Sequence, residues 1–205
     1  MQLDLEQPGS VDLYQLATHL VTPRPIAWVI TQNAAGVVNL APFSYFGLVC
    51  DDPILLVLSL GRKSNEAGMV TLKDTSRNLL ETGQAVVHLV EEANFESMVK
   101  SSTDLPAHQS EVSYLGLTTV PCTKVSPPRL SDAKLSLECV LYRHLEIGNE
   151  PGDMFLLRGV VAHLDDSALS NGLPDPVKLR IFGKLGGADY TVTTLAKSLK
   201  RPRSG

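Results

Sequence analysis

The chain has 205 residues, 43% hydrophobic and 20% charged, with a formal net charge of −4. That is ordinary globular material, which excludes a disordered chain, and its acidic balance speaks against a nucleic-acid surface. One domain spanning 1–205 is expected, with its core over about 20–190.

The basic end, Lys197, Lys200, Arg201 and Arg203, reads as a short solvated tail. Cys50, Cys122 and Cys139 are widely spaced, with no CxxC, so neither a zinc site nor a disulfide framework is expected. The opening MQLDLEQPG lacks a basic and then apolar leader, and no apolar run approaches the ~20 residues that span a membrane. Three buried thiols in a reducing cytoplasm, with no membrane partner, are the expectation.

In chain order, Val11, Tyr14, Leu16 and Leu20 predict a short N-terminal helix capped by Ser10 or Asp12, which Thr22-Pro23-Arg24-Pro25 must break. Residues 26–30 and 37–40 predict two strands around an Asn33–Gly36 turn. The nearly continuous apolar run 54–60 predicts a buried central strand. A helix is predicted over 64–83, stopped by Gly83, then a strand over 85–90 and a short helix over 93–102. Residues 103–114 read as irregular, and 117–120, 136–145 and 153–164 as strands. A loop rich in Pro, Gly and Asp then leads to Gly183-Lys184-Leu185-Gly186-Gly187. Six or seven strands not regularly separated by helices argue for an antiparallel β-barrel with peripheral helices, not a parallel βαβ sheet.

Three segments could carry chemistry. Asn39-Leu40-Ala41-Pro42-Phe43-Ser44-Tyr45-Phe46 joins a turn-forming Pro to polar side chains and aromatics, which suits a planar heteroaromatic ligand. Taken alone, it equally fits a strand end carrying core aromatics. Ser59-Leu60-Gly61-Arg62-Lys63-Ser64 offers small residues for close backbone approach and two cations for phosphate, or else a charged barrel rim. Lys73 and Thr75 form a sensible phosphate pair, with Asp74 orienting a neighbour or capping a helix; a solvated helix face is the alternative. There is no GxGxxG after a strand, no GxxxxGK[ST], no GxSxG and no HExxH.

Together these segments resemble the flavin reductase-like, FMN-binding split β-barrel family, in its flavoredoxin-type branch. The resemblance rests on an ordered set: Pro23 to Val29, Val38 to Phe46, Ser59 to Arg62, Lys73-Asp74-Thr75 with Asn78, Glu81-Thr82-Gly83, Gly116-Leu117, Ser126 to Arg129, Leu137-Glu138-Cys139, and Gly183 to Gly187 with Tyr190. His88 stands where the family usually has Asn, Leu60 where a smaller or β-branched residue is common, and residues 63–68 also depart from the pattern. The resemblance implies a homodimeric, mainly β split barrel with FMN at the subunit interface. By that likeness Asn39, Leu40, Ala41, Pro42 and Ser44 line the flavin, Ser59, Gly61 and Arg62 lie along its ribityl chain or ring edge, Lys73, Asp74 and Thr75 stand at the phosphate, and Tyr190 closes the pocket. Arg24 and Arg62 are the candidates for stabilising the reduced ring. The implied activity is hydride transfer from NADH or NADPH to the flavin, with no side-chain acid or base and no metal needed. Two other readings stay open: an FMN electron carrier with a protein redox partner, and a non-enzymatic module binding haem through His144 or His163.

Overall fold

The computed structural model describes residues 2–64, 68–149, 151–195 and 197–199. Helix α1 (Leu13–Leu20) starts at Asp12, whose carboxylate accepts the Gln15 N–H at 3.0 Å. Strand β1 (Arg24–Pro25) leads into β2 (Ala27–Gln32). The turn at Asn33–Gly36 returns the chain as β3 (Val38–Phe43); Gly36 takes φ +85° and Asn33 Oδ1 accepts the Val37 N–H at 2.9 Å. Then follow β4 (Phe46–Asp51), β5 (Ile54–Gly61), α2 (Asp74–Thr82) and β6 (Gln84–Leu89). After these come α3 (Phe95–Lys100), α4 (Glu111–Tyr114) and the long hairpin β7 (Leu135–Ile147) and β8 (Gly152–Leu164). Strands β9 (Phe182–Lys184) and β10 (Tyr190–Val192) close the order.

Seven strands form one sheet in the order β3-β2-β6-β7-β8-β5-β4, every neighbouring pair antiparallel. Its two edge strands, β3 and β4, are separated in the chain only by Ser44 and Tyr45. Two residues cannot bridge the width of a flat seven-stranded sheet, so the sheet curls until its edges meet. The Ser59 N–H donating to the Tyr45 carbonyl at 2.8 Å extends the β4–β5 pairing into this two-residue link. The result is a mainly β split barrel. A separate three-stranded sheet, β1-β9-β10, packs beside it.

Strand β2 is buried on both faces. Ala27 and Val29 join the core cluster of Leu58, Leu60, Phe155 and Leu157; Trp28 and Ile30 join that of Leu40, Val86, Met98 and Leu130. This two-sided burial is why 26–30 reads as an unbroken apolar run. Each such large side chain contributes about 1.5–3 kcal/mol when fully buried.

The structure corrects several expectations. The helix predicted over 64–83 is confined to Asp74–Thr82, with Gly83 in the left-handed region at φ 67° as its stop; Asn65 to Ala67 lie outside the described residues. Lys63–Ser64 pairs instead with Val70–Thr71 as a small ribbon. The run 54–60 is second from the sheet edge, not central, because β4 pairs with it. Strand β4 and the β9–β10 pair had not been predicted as strands. Of the basic tail, Lys197 is described and Lys200, Arg201 and Arg203 are not.

Candidate functional site

The N-terminus of α2 is clipped to the sheet by two side-chain bonds. Asn39 Nδ2 of β3 donates to Thr75 Oγ1 at 2.9 Å, and Asn78 Nδ2 donates to Thr31 Oγ1 of β2 at 3.1 Å. Because Thr75 Oγ1 accepts from Asn39, its own hydrogen remains available to a ligand. A cavity of about 250 Å³ opens here, lined among others by Asn39, Ala41, Pro42, Lys73, Asp74 and Thr75. Ser101, Ser102 and Thr103 line its opposite wall. Ser101 is fixed there by Trp28, whose Nε1 donates to Ser101 Oγ at 2.8 Å, while that hydroxyl donates to the Met98 carbonyl at 2.7 Å.

Two lysines face this cavity and differ in their partners. Lys63 Nζ pairs with Asp104 at 2.5 Å and lies 3.9 Å from Asp74. Lys73 Nζ sits 5.7 Å from the centre of the Phe43 ring, and among the described residues no carboxylate pairs with it. Burial, and then the nearby Lys63 charge, push the Lys73 pKa below the usual lysine value. Asp74, the first residue of α2, pairs with Arg77 in the same helix. Glu111 also lines the cavity; its Oε2 accepts the Leu40 N–H at 2.9 Å, and burial raises its pKa against that bond.

That Leu40 bond fixes the outward edge of β3. Pro42, two residues on, faces the same way, where its missing N–H breaks no ladder bond. Leu40's own side chain is fully buried in the core.

A second cavity of about 100 Å³ adjoins the first and shares Pro42, Phe43 and Ser102 with it. It is more apolar, walled by Ile26, Met98 and Val99, with Ser44, Lys184 and Tyr190 at its other side. Together the two reach the lower end of the ~300–1,000 Å³ typical of small-molecule sites. Arg24 braces this end without entering it. Its guanidinium is buried and donates to the carbonyls of Thr18 (2.5 Å), Val21 (2.8 Å) and Leu185 (3.1 Å), and to Ser44 Oγ (3.3 Å).

Asn39, Ala41, Pro42, Ser44, Lys73, Asp74, Thr75 and Tyr190 are therefore brought together around one continuous space. Ser59, Gly61 and Arg62 do not line it. Ser59 and Gly61 stand opposite Met154 and Gly152 in the β5–β8 ladder. Arg62 forms a two-pronged pair with the fully buried Asp153, at 3.2 and 3.0 Å, and reaches Glu146 at 3.0 Å. Burial would raise the Asp153 pKa, but Arg62 and His144 outweigh it and hold the carboxyl below its ordinary value.

His88, His144 and His163 are engaged elsewhere. His144 Nε2 bonds Asp153 at 2.9 Å and His163 Nε2 bonds Glu138 at 2.6 Å. His88 Nε2 accepts the Leu130 N–H, so Nδ1 carries the hydrogen that reaches the Trp28 carbonyl; burial lowers its pKa to about 4, leaving the ring neutral. Sequence reasoning passed over Ser101 to Thr103, Glu111 and Lys184. The hydroxyl run Ser101-Ser102-Thr103 just after a helix was the available signal for the first group.

Residues 19–177 match the flavin reductase like domain. The chain belongs to the flavin reductase-like family. An uncharacterised protein of Halalkalibacterium halodurans is 40% identical to this flavin reductase-like chain, over 98% of this chain and 97% of that one. Among solved structures, nitrilotriacetate monooxygenase component B from Bacillus cereus has 30% identity and a TM-score of 0.89, covering 97% of this chain and 98% of its own. Flavoredoxin of Desulfovibrio vulgaris shares the fold, with a TM-score of 0.76 at 19% identity and 97% coverage of each chain. Among the described residues no helix is long and apolar enough to cross a membrane.

Proposed function

We propose that this flavin reductase-like protein is a cytoplasmic, homodimeric oxidoreductase that binds FMN and accepts electrons from NADH or NADPH. The observation that carries the reading is the two-part cavity: a polar half with Thr75, a wall of hydroxyls and Lys73, which no carboxylate pairs among the described residues, continuous with a more apolar half that shares Pro42 and Phe43. The residues present fit a phosphorylated planar molecule. A half-buried cation with no carboxylate partner among the described residues, together with the unclaimed Thr75 hydroxyl hydrogen, suits a phosphate, and a proline and a phenylalanine suit a ring face.

FMN, when bound, supplies a two-electron acceptor for the hydride of a reduced nicotinamide. The chain's own residues would bind and orient. Lys73 and the Thr75 hydroxyl would hold the phosphate. Asn39 fixes Thr75 and Arg24 fixes Ser44, so these two hydroxyl donors are set before a ligand arrives, while Trp28 and the Met98 carbonyl hold Ser101 as part of the wall. Pro42, Phe43 and Met98 would exclude water from the ring.

The homodimer accounts for what one chain leaves outside the cavity. Edge strand β4 and the first residue of β5 expose Leu48 (69%), Val49 (53%) and Ile54 (45%), apolar groups on one edge of the barrel. A second copy covering that edge would bury them and could bring its own Ser59–Arg62 segment to the flavin.

The test is a visible spectrum of the purified protein, followed by anaerobic NADH and NADPH additions. Flavin bands at roughly 370 and 450 nm that bleach on addition are expected. A colourless protein that ignores added FMN refutes the reading. A flavin that neither nicotinamide reduces would refute the donor and leave an electron carrier. A Soret band would instead mean haem.

A further inference from the structure

Away from the flavin cavity, three side chains of metal-binding type meet at the end of the β7–β8 hairpin opposite its turn. Glu138 of β7 pairs with Val161 and His163 of β8 with Ser136, so Glu138 and His163 are diagonal neighbours on one face. Cys122 comes from the loop 121–128, which joins Thr119–Val120 to Arg129–Leu130, the two strands of a small ribbon. Glu138 pins that loop just past the cysteine, accepting the N–H groups of Thr123 at 2.7 Å and Lys124 at 2.6 Å. Cys122 Sγ, one Glu138 carboxylate oxygen and one His163 ring nitrogen all lie within 4.8 Å of one another. None of the three lines either part of the flavin cavity.

Two polar groups beside this cluster are left without partners. Ser136 is fully buried directly opposite His163, and its Oγ makes no hydrogen bond among the described residues. Arg129 Nε is likewise buried and unbonded. His163 also lines a polar cavity of about 420 Å³, together with Arg129, Ser131 and Lys134, so an ion has a path in from solvent.

We propose that Cys122, Glu138 and His163 form a zinc site that clamps the 121–128 loop onto the β7–β8 pair. A thiolate, an imidazole and a carboxylate are donors that zinc takes, whereas magnesium and calcium require oxygen ligands. Zinc bonds such donors at about 2.0–2.3 Å, which sets them about 3.3–3.8 Å apart in a tetrahedron. Donors already within 4.8 Å reach that spacing by small side-chain rotations. Glu138 is oriented in advance by the two loop N–H groups, and three protein ligands leave the fourth position to water. Without a cation the thiol keeps its proton: burial, and then the Glu138 charge, raise its pKa to about 11, against the nearby positive charge of Arg129. Zinc displaces that proton. In acid the proton returns and the ion leaves, while the hydrogen bonds of Glu138 to His163 and to the loop hold the metal-free fold.

The experiment uses untagged full-length protein, stripped of metal and titrated with zinc chloride against a chromophoric zinc chelator. One zinc per chain should bind, and cobalt(II) in its place should give an intense thiolate-to-cobalt charge-transfer band. Cys122→Ser should abolish that band and weaken zinc about 100-fold or more, since changes to outer-shell partners alone cost about 10–100-fold. His163→Gln, whose amide can still bond Glu138, should weaken zinc to a similar degree. Cys50→Ser should alter neither zinc nor cobalt binding, and FMN affinity should be unchanged in Cys122→Ser. No zinc uptake by wild type, cobalt bound without the thiolate band, or uptake that survives Cys122→Ser overturns the inference. If circular dichroism shows Cys122→Ser unfolded, wild type decides by itself. Zinc must then shield Cys122 from iodoacetamide, read by peptide mass spectrometry, and equal labelling with and without zinc overturns the site.

Discussion

Replacing Lys73 by Met should weaken FMN binding far more than replacing Lys63, although both lysines line the same cavity. Lys63 is already engaged by Asp104 at 2.5 Å and by Asp74 at 3.9 Å, so a phosphate gains only part of its charge. Lys73 has no carboxylate partner among the described residues and is half-buried against Phe43. A hydrogen bond to a charged group is worth about 1.5–3 kcal/mol, or about 10- to 150-fold in Kd. Partial exposure places Lys73 in the lower part of that range, so Lys73→Met should raise the FMN Kd about 10- to 50-fold. For Lys63→Met the expected change is about fivefold or less, in line with exposed pairs. Met keeps much of the packing against Phe43, so circular dichroism should show both variants folded. The pH dependence adds a second readout. Because the free Lys73 titrates below the ordinary lysine value of 10.5, wild-type affinity should fall with rising pH before pH 10.5 is reached, and that limb should vanish in Lys73→Met. Equal effects at the two lysines, or an unchanged Kd for Lys73→Met, would refute the assignment of the phosphate to this end.

Glu138 should govern part of the acid stability. Its buried carboxylate accepts from the N–H groups of Thr123 (2.7 Å) and Lys124 (2.6 Å) and bonds His163; burial alone would raise its pKa, but these bonds hold it at about 2 against an ordinary 4.5. A depressed acid stabilises the fold above its unfolded value and loses that contribution as pH falls from 4.5 towards 2, about 3 kcal/mol in all. Urea midpoints for Glu138→Gln should change much less than wild type across that window, and an equal change would exonerate Glu138. Asp153→Asn should cost about 3 kcal/mol in urea unfolding, near the low end for a broken buried pair because Arg62 can still reach water. A loss below about 1 kcal/mol would mean that the pair is solvated. Gly186→Ala would drive a methyl group into the His19 ring, which packs directly on that glycine. It should cost about 1 kcal/mol or more by overpacking. Adding His19→Ala should recover most of it in a double-mutant cycle, and additive losses would show that the two do not touch.

Most of the strand pattern was legible because two-residue alternation and apolar runs are local signals. Residues 26–30, 85–90, 136–145 and 153–164 all became strands close to their expected bounds. Asp12 and Gly83 punctuated helices as their side-chain chemistry requires. Strand β4 was not legible. Phe46 to Asp51 carries apolar groups that a single chain leaves exposed, so its pattern does not report which face is buried. Helix α2 began ten residues later than expected, because the polar spacing of 64–73 fits a ribbon and loop as well as a helix.

The sequence by itself determined that the chain is a globular, mainly antiparallel β protein, and it placed Asn39 to Ser44 and Lys73 to Thr75 as candidates, since strands, turns and phosphate-binding side chains are properties of short segments. Only the tertiary structure decided that these segments share one cavity with Ser101 to Thr103 and Tyr190, while Arg24 and Arg62 spend their charges on internal partners. A cation's role depends on which acceptors reach it across the fold. Arg62 meets Asp153 from 91 residues away, and Arg24 meets Leu185 from 161. Nothing in the neighbouring residues encodes such a meeting; it follows from which strands pair, β5 with β8 in the barrel and β1 with β9 in the small sheet.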